Sequence, residues 1–283
     1  PGSGKTLLAR SFISILPNLT EDEAIEVSKI YSVTGLLPAG SSLITTRPYR
    51  SPHHTTSHVG LIGGGAHPKP GEISLAHRGV LFMDEFPEYS RQSLEALRQP
   101  LEDGFITVSR ASGTSRFPAK FILVAACNPC PCGNFGSNVK CLCSANQVIS
   151  YQKRISGPMM DRIDLHVFCS QIPADKLTSL ELGEPSKAIR ERVQKARNIQ
   201  QKRYQNLKIT SNGELSAAQI KLFCLIDEES TQLLRRAVVS MNLSGRGFHR
   251  ILKVARTIAD LWGEENISSK HISEALQFRQ REN

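Results

Sequence analysis

The stretch PGSGKTLLARSFISIL, residues 1–16, decides how the rest of the chain is read. Gly4-Lys5-Thr6 is the tail of the phosphate-binding pattern G-x-x-x-x-G-K-[ST], and it runs directly into an apolar, helix-compatible segment. Gly2, Ser3 and Gly4 let backbone N–H groups close around phosphate oxygens, and the helix that follows points its positive end at the anion. Lys5 can reach the β and γ phosphates, Thr6 offers a hydroxyl to Mg²⁺, and Leu7 is the first residue of the helix beyond them.

A second stretch, GVLFMDEFPEY (79–89), supplies what a phosphate loop alone lacks. Val80 to Met83 is a continuous apolar run suited to a buried parallel strand. Asp84 stands at its carboxyl end, where ligands bind in open α/β sheets, and can hold Mg²⁺ through water. Glu85 beside it can orient and polarise an attacking water. The stretch FILVAACNP (121–129) reads as another buried strand that ends at Asn128. A neutral amide there can bond both a terminal phosphate and the lytic water. Three strand or loop ends converging on one crevice describe an NTPase.

Taken together, these residues resemble the AAA+ superfamily and, more narrowly, its magnesium-chelatase-like branch, the ComM (YifB) family. The resemblance is carried by RPYRSPHHTTSHVGLIGGG (47–65), PGEISLAHRGVLFMDEFPEY (70–89), LRQPLEDGFITVSRA (97–111), NPCPCG (128–133), SGPMMDRIDLHV (156–167) and GRGFHRILKVARTIADL (245–261). It implies an α/β fold: a P-loop NTPase core with a parallel sheet sandwiched by helices, then a small α-helical lid. The expected division is a core over 1–172 and a lid over 173–283. An insertion falls at about 47–78 and a hairpin at about 105–120. Since the chain opens on Pro1 with the phosphate loop already under way, it is expected to be a piece of a longer protein, and alone a poor ATPase.

The resemblance also implies ATP and Mg²⁺, a homo-oligomer (a hexamer), and a ring that moves on single-stranded or branched DNA without reading sequence. Branch migration in recombination and natural transformation is the implied activity. The alternative is a motor that remodels a protein partner, as the chelatase I subunit does. By the same resemblance Lys5 and Thr6 match Walker A, Asp84 and Glu85 match Walker B, and Asn128 matches sensor 1. Arg162 stands where ring helicases carry the arginine finger, with Arg154 as its competitor. Arg246 matches sensor 2, with Arg250 one helical turn further on. Arg110 and Arg116, expected near the tip of two short strands around a Ser-Gly-Thr turn (112–114), would grip DNA phosphates from a pore hairpin.

Lys and Arg outnumber Asp and Glu by 35 to 26, a net charge of +9 that favours a polyanionic partner. No apolar run approaches the ~20 residues of a membrane span, so no membrane partner is expected. The cysteine usage points to a reducing cytoplasm. Five of the seven cysteines lie in CNPCPCGNFGSNVKCLC, residues 127–143. Cys127 reads as a buried small hydrophobe. Cys130, Cys132, Cys141 and Cys143 form two C-x-C pairs that suit a structural Zn²⁺ site, with free thiols or a disulfide as the alternatives. The histidines of 47–78 match no ligand pattern, and GLIGGGAHPKPG (60–71) reads as a flexible loop with little core of its own.

Residues 186–208 carry eight basic side chains against one acidic. They and the following segments read as helices. Ser216 with Gln219, and Ser268 or Ser269, are expected as N-caps. Ile251, Val254, Ala255, Ile258 and Leu261 form one expected core stripe, and Leu234, Val238 and Met241 another.

Overall fold

The computed structural model describes residues 4–65, 68–110, 113–137, 139–169 and 183–279. The chain divides into two compact units, one comprising Pro1–Met160 with Cys169–Ser179, the other Asp161–Phe168 with Leu180–Asn283.

The first unit is built on a parallel sheet flanked by helices. Its strands are β1 (Tyr49–Arg50), β4 (Val80–Met83) and β7 (Ile122–Ala125), in the order β1-β4-β7. Val80 pairs with Ile122 and Met83 with Ala125, so the chain leaves both strands at the same level. Strand β4 is buried along its whole length, as its unbroken VLFM predicts. Strand β7 departs from expectation: it is partly exposed, with Ile122 at 41%. Among the described residues β7 pairs with β4 alone, which leaves its other edge uncovered. Helix α1 (Lys5–Phe12) packs Ala9 against Phe82 and Ala126, which brings the phosphate-loop residues to the carboxyl ends of β4 and β7.

Helix α2 (Glu21–Thr34) starts at a capping box between Thr20 and Glu23. Its Glu23 and Glu26 pair with Arg47 and Arg78, which flank β1 and β4.

The insertion at 47–78, within which 60–71 was expected to be a flexible loop with little core, instead contributes to the interior. It holds β1, helix α3 (His58–Ile62), the antiparallel ribbon of β2 (Gly63–Gly64) and β3 (Lys69–Pro70), and helix α4 (Glu72–Leu75). Leu61 and Ile73 are fully buried. The glycines act by close approach here: a Cβ on Gly71 would lie 2.4 Å from the Gly63 nitrogen and 2.5 Å from the Leu61 oxygen.

The run RQSLEALRQPLEDG forms two helices, α5 (Arg91–Ala96) and α6 (Arg98–Asp103). Pro100 has no N–H to return to the Ala96 carbonyl, so the helix breaks at Leu97. The hairpin follows, with β5 (Phe105–Arg110) and β6 (Gly113–Pro118) paired out to Arg110↔Gly113. Gly113 and Thr114 therefore lie in β6 and not in the turn. Helices α7 (Ala145–Gln152) and α8 (Gly157–Met160) complete the described elements of this unit.

The second unit is helical: α9 (Ser186–Arg203), α10 (Ala217–Phe223), α11 (Glu228–Ser240), α12 (Gly245–Trp262) and α13 (Ser269–Gln277). Ser216 and Gln219 make the expected capping box, and Ser268 caps α13 with its amide donating to His271 Nδ1 at 3.0 Å. Ile251, Ala255 and Ile258 are buried against Leu234 and Ile272. Leu261 is 46% exposed, because the last turns of α12 bury Arg256 and Asp260 instead. Leu234 is the fully buried member of its stripe, with Ser230 and Ala237 beside it, while Val238 and Met241 are half-buried. Asp260 accepts from Arg203 (2.6 and 3.0 Å), Arg256 (3.2 Å), Gln200 (3.2 Å) and Asn212 (2.8 Å).

Candidate nucleotide-binding site and cysteine cluster

Gly4 caps α1 in the left-handed conformation (φ 72°), which glycine adopts without steric cost. Gly2 and Ser3 lie outside the described residues. From the first turn, Thr6 Oγ1 donates to Asp84 Oδ2 at 2.8 Å, and Lys5 Nζ donates to Asn128 Oδ1 at 3.3 Å. Leu7 points away from the core and is exposed. The sheet register explains these contacts: Asp84 and Asn128 leave neighbouring strands whose last paired residues are Met83 and Ala125.

Asp84 is held on both oxygens, since Oδ1 accepts the Glu85 amide at 2.9 Å. A hydroxyl beside a carboxylate is an all-oxygen donor set, which suits a hard cation such as Mg²⁺. Glu85 itself is left-handed (φ 49°, ψ 45°), a conformation that costs a non-glycine residue about 1–2 kcal/mol and that clusters at functional sites. The Phe86 amide bonds the Ala126 carbonyl at 2.9 Å and ties the acidic turn to the neighbouring strand. Tyr89 is pushed up to about 12 by burial and by the nearby Asp84 charge. Its hydroxyl donates to the Pro52 carbonyl at 2.6 Å, and His54 Nδ1 lies 3.3 Å from Glu85 Oε2. The histidine richness of 47–78 drew attention to His54 without assigning it a role; the adjacency of β1 and β4 brings it to the acidic turn.

Other expected site residues are placed as follows. Arg154 is half-exposed and paired with Glu88 at 2.6 Å. Arg162 is 5% exposed, in a segment bound to its own helical unit: the His166 amide donates to the Phe278 carbonyl and Arg279 to the Ile163 carbonyl, each at 2.7 Å. Arg246 is exposed in the first turn of α12, while Arg250 is paired with Asp164. Arg116 is not near the hairpin tip. It pairs opposite Thr107, and its guanidinium lies 3.3 Å from the Phe105 ring centroid. The Arg110 side chain and the turn residues 111 and 112 lie outside the described residues, as does His67.

Cys127 is exposed and not buried, because Ala126 takes the inward position and side chains alternate along the extended chain. Cys130, Cys132, Cys141 and Cys143 are free cysteines whose sulfurs all lie within 4.8 Å of one another. The separations Cys130–Cys132, Cys130–Cys141 and Cys132–Cys141 are 3.5, 3.8 and 3.6 Å. A Zn²⁺ tetrahedron with Zn–S of about 2.3 Å has edges of about 3.8 Å, so the spacing fits that ion. The Phe135 amide donates to Cys130 Sγ at 3.4 Å. Backbone amides at Asn134 and Leu142 draw the Cys132 thiol down to about 6. The cluster is fastened to the nucleotide site at one end, where Cys130 follows Asn128 by two residues. At the other, Ser144 caps α7, whose Gln152 donates to the Pro129 carbonyl at 3.2 Å.

Among the described residues no helix is long and apolar enough to cross a membrane.

The family described as magnesium chelatase, subunit ChlI, matches residues 1–177, and its C-terminal counterpart matches residues 183–279. The competence protein ComM of Haemophilus influenzae is 44% identical over 99% of this chain and 54% of its own length. The uncharacterized protein YifB of Escherichia coli is 41% identical over the same shares, 99% and 54%. The chloroplastic magnesium-chelatase subunit ChlI-2 of Arabidopsis thaliana is 22% identical over 72% of this chain and 43% of its own. The chain thus spans about half the length of the ComM and YifB relatives it matches. It belongs to the magnesium-chelatase-like AAA+ ATPase family, the branch of ComM and YifB.

Proposed function

We propose that the protein hydrolyses ATP with Mg²⁺ at the Lys5–Thr6–Asp84–Glu85–Asn128 site and uses the energy to move on DNA, promoting branch migration. The observation that carries this reading is the convergence of Thr6 with Asp84 and of Lys5 with Asn128 at adjacent strand ends. Lys5 binds the β and γ phosphates, with Gly2, Ser3, Gly4 and Leu7 contributing loop and helix amides. Thr6 and Asp84 would hold Mg²⁺, which neutralises phosphate charge when bound. Glu85 orients the attacking water and accepts its proton; Asn128 fixes the water relative to the terminal phosphate.

Arg246 serves as sensor 2, with Arg250, which pairs with Asp164, as the alternative. Arg162 serves as the arginine finger toward a neighbouring subunit of a ring, a hexamer in this reading, and must become exposed to do so. Its competitor Arg154 is already at the surface. In this reading Arg110 and Arg116 of the β5–β6 hairpin would grip phosphates of single-stranded or branched DNA without reading sequence, Arg116 after leaving the Phe105 ring. The cysteine cluster holds a structural Zn²⁺: four protein ligands close its coordination and leave no position for catalysis.

The net charge of +9 and the similarity to ComM support DNA over a protein partner. The test uses the full-length protein with a fluorescently labelled branched DNA junction and ATP. Junction migration that is lost in Lys5→Ala is expected. No migration by the wild type, at any ATP concentration at which it hydrolyses ATP, overturns the DNA reading and leaves the protein-remodelling motor.

A further inference from the structure

Asn128 stands on a stretch of chain with little of its own to hold it. Strand β7 ends at Ala125, and the last main-chain tie before Asn128 is the Ala126 carbonyl, which accepts from the Phe86 amide. Among the described residues, Cys127, Asn128 and Pro129 make no backbone–backbone hydrogen bond. The Asn128 side chain accepts from Lys5 at 3.3 Å, and Lys5 is assigned to the phosphates of bound nucleotide. On the far side the chain is fixed by the cysteine cluster. Cys130, fully buried, follows Asn128 by two residues, at most about 7 Å of chain.

The loop that carries the cluster has little else to order it. Its Phe135, Val139 and Leu142 side chains are exposed and supply no core. Its described backbone hydrogen bonds are local turns, from the Gly133 amide to the Cys130 carbonyl at 3.0 Å and from the Ser137 amide to the Asn134 carbonyl at 3.1 Å. The four sulfurs are what gather its two ends, Cys130 and Cys132 with Cys141 and Cys143. In such a loop, bonds from sulfur to metal supply the folding energy. Cys143 leads into Ser144, the N-cap of α7, and α7 is anchored by buried Val148 and Tyr151. Gln152, at the end of that helix, returns to the Pro129 carbonyl and closes the circuit around Asn128.

We infer that the cysteine cluster, loaded with zinc, positions Asn128, so that ATP turnover depends on a metal that touches neither the nucleotide nor Mg²⁺. The inference rests on the assignments of Asn128 to the lytic water and of the cluster to zinc. A neutral amide misplaced by about 1 Å no longer fixes that water, while phosphate binding by Lys5 and the loop amides is untouched. Loss of zinc therefore acts on kcat and leaves KM and nucleotide affinity in place.

The experiment uses the full-length protein under reducing conditions in excess Mg²⁺, as purified, after stripping with a zinc-selective chelator, and after one equivalent of Zn²⁺ is returned. Zinc content, steady-state ATP hydrolysis, affinity for a fluorescent ATP analogue and amide exchange across residues 126–132 are followed together. Stripping is expected to lower kcat about tenfold or more, with KM and affinity within about twofold, and to speed exchange across 126–132; Zn²⁺ restores all of these. Asn128→Ala is expected to lose about 100-fold in kcat and to lose little more on stripping. Unchanged kcat or unchanged exchange in the stripped protein overturns the inference. So does a loss that Zn²⁺ does not restore, or one that appears in full on top of Asn128→Ala. Protein that neither contains nor takes up zinc overturns the metal assignment, and full turnover by Asn128→Ala overturns the assignment of Asn128.

Discussion

Thr6 and Asp84 stand 78 positions apart in the chain and are joined by a 2.8 Å hydrogen bond from Oγ1 to Oδ2. The bond links the head of α1 to the end of β4, the two places where the phosphate loop and the acidic turn must meet. Because both groups would serve the same Mg²⁺, their losses should not add. Thr6→Ala and Asp84→Asn are each expected to lower kcat at least about 100-fold, and the double variant to fall little further. Phosphate release by the full-length protein across this cycle checks it; losses that multiply would show that the residues act independently.

The cysteine cluster predicts about one zinc per chain in the purified full-length protein. Cys141→Ser removes one of four ligands and should release most of it. Metal analysis of both proteins decides between a zinc site and free thiols: equal, substoichiometric zinc in the two contradicts the zinc assignment.

Acidification should weaken the first unit. His77 is 2% exposed; its Nδ1 accepts the Lys120 amide at 3.0 Å, so its Nε2–H donates to Glu26 at 3.0 Å. Burial holds His77 below its ordinary 6.5, and the His77 hydrogen bond, aided by Arg78, holds Glu26 at about 2 against an ordinary 4.5. In each case the unfolded chain takes up the proton first. The stability contributed by His77 is therefore present above 6.5 and is lost as pH falls below it; that of Glu26 is lost between 4.5 and about 2. Urea unfolding across this range should show a falling midpoint, with a shallower fall above pH 4.5 in His77→Gln. A midpoint that rises on acidification would contradict the arrangement.

In the helical unit Asp260 is fully buried and accepts from two arginines, so Asp260→Ala leaves two guanidinium groups short of a counter-charge. The expected cost is about 3–5 kcal/mol, measured by denaturant unfolding. A cost below about 1 kcal/mol would mean that water or other groups replace the carboxylate.

Much of this was legible in the sequence, and the failures have physical causes. The VLFM run and GSGKT placed β4, α1 and the residues that meet at their ends, because buried parallel strands and phosphate loops leave short, local signatures. Ser216–Gln219 and Ser268 were readable as caps for the same reason. Exposure of β7 and Cys127 was not readable: it depends on which neighbours cover a strand and on how the chain alternates beyond it. The glycines of 60–71 suggested flexibility but serve close backbone packing, a distinction that only the partner backbone reveals. Leu261 was assigned to a core face that Asp260 and Arg256 occupy, since a buried ion cluster has no periodic apolar signature. The approach of His54 to Glu85 was not readable, because the two residues follow different strands.

The most direct test of the central claim is the rate of ATP hydrolysis by the full-length protein, with and without single-stranded DNA. The account predicts Mg²⁺-dependent hydrolysis that DNA accelerates, both lost in Lys5→Ala. Hydrolysis indifferent to DNA, or undiminished in Lys5→Ala, would contradict it.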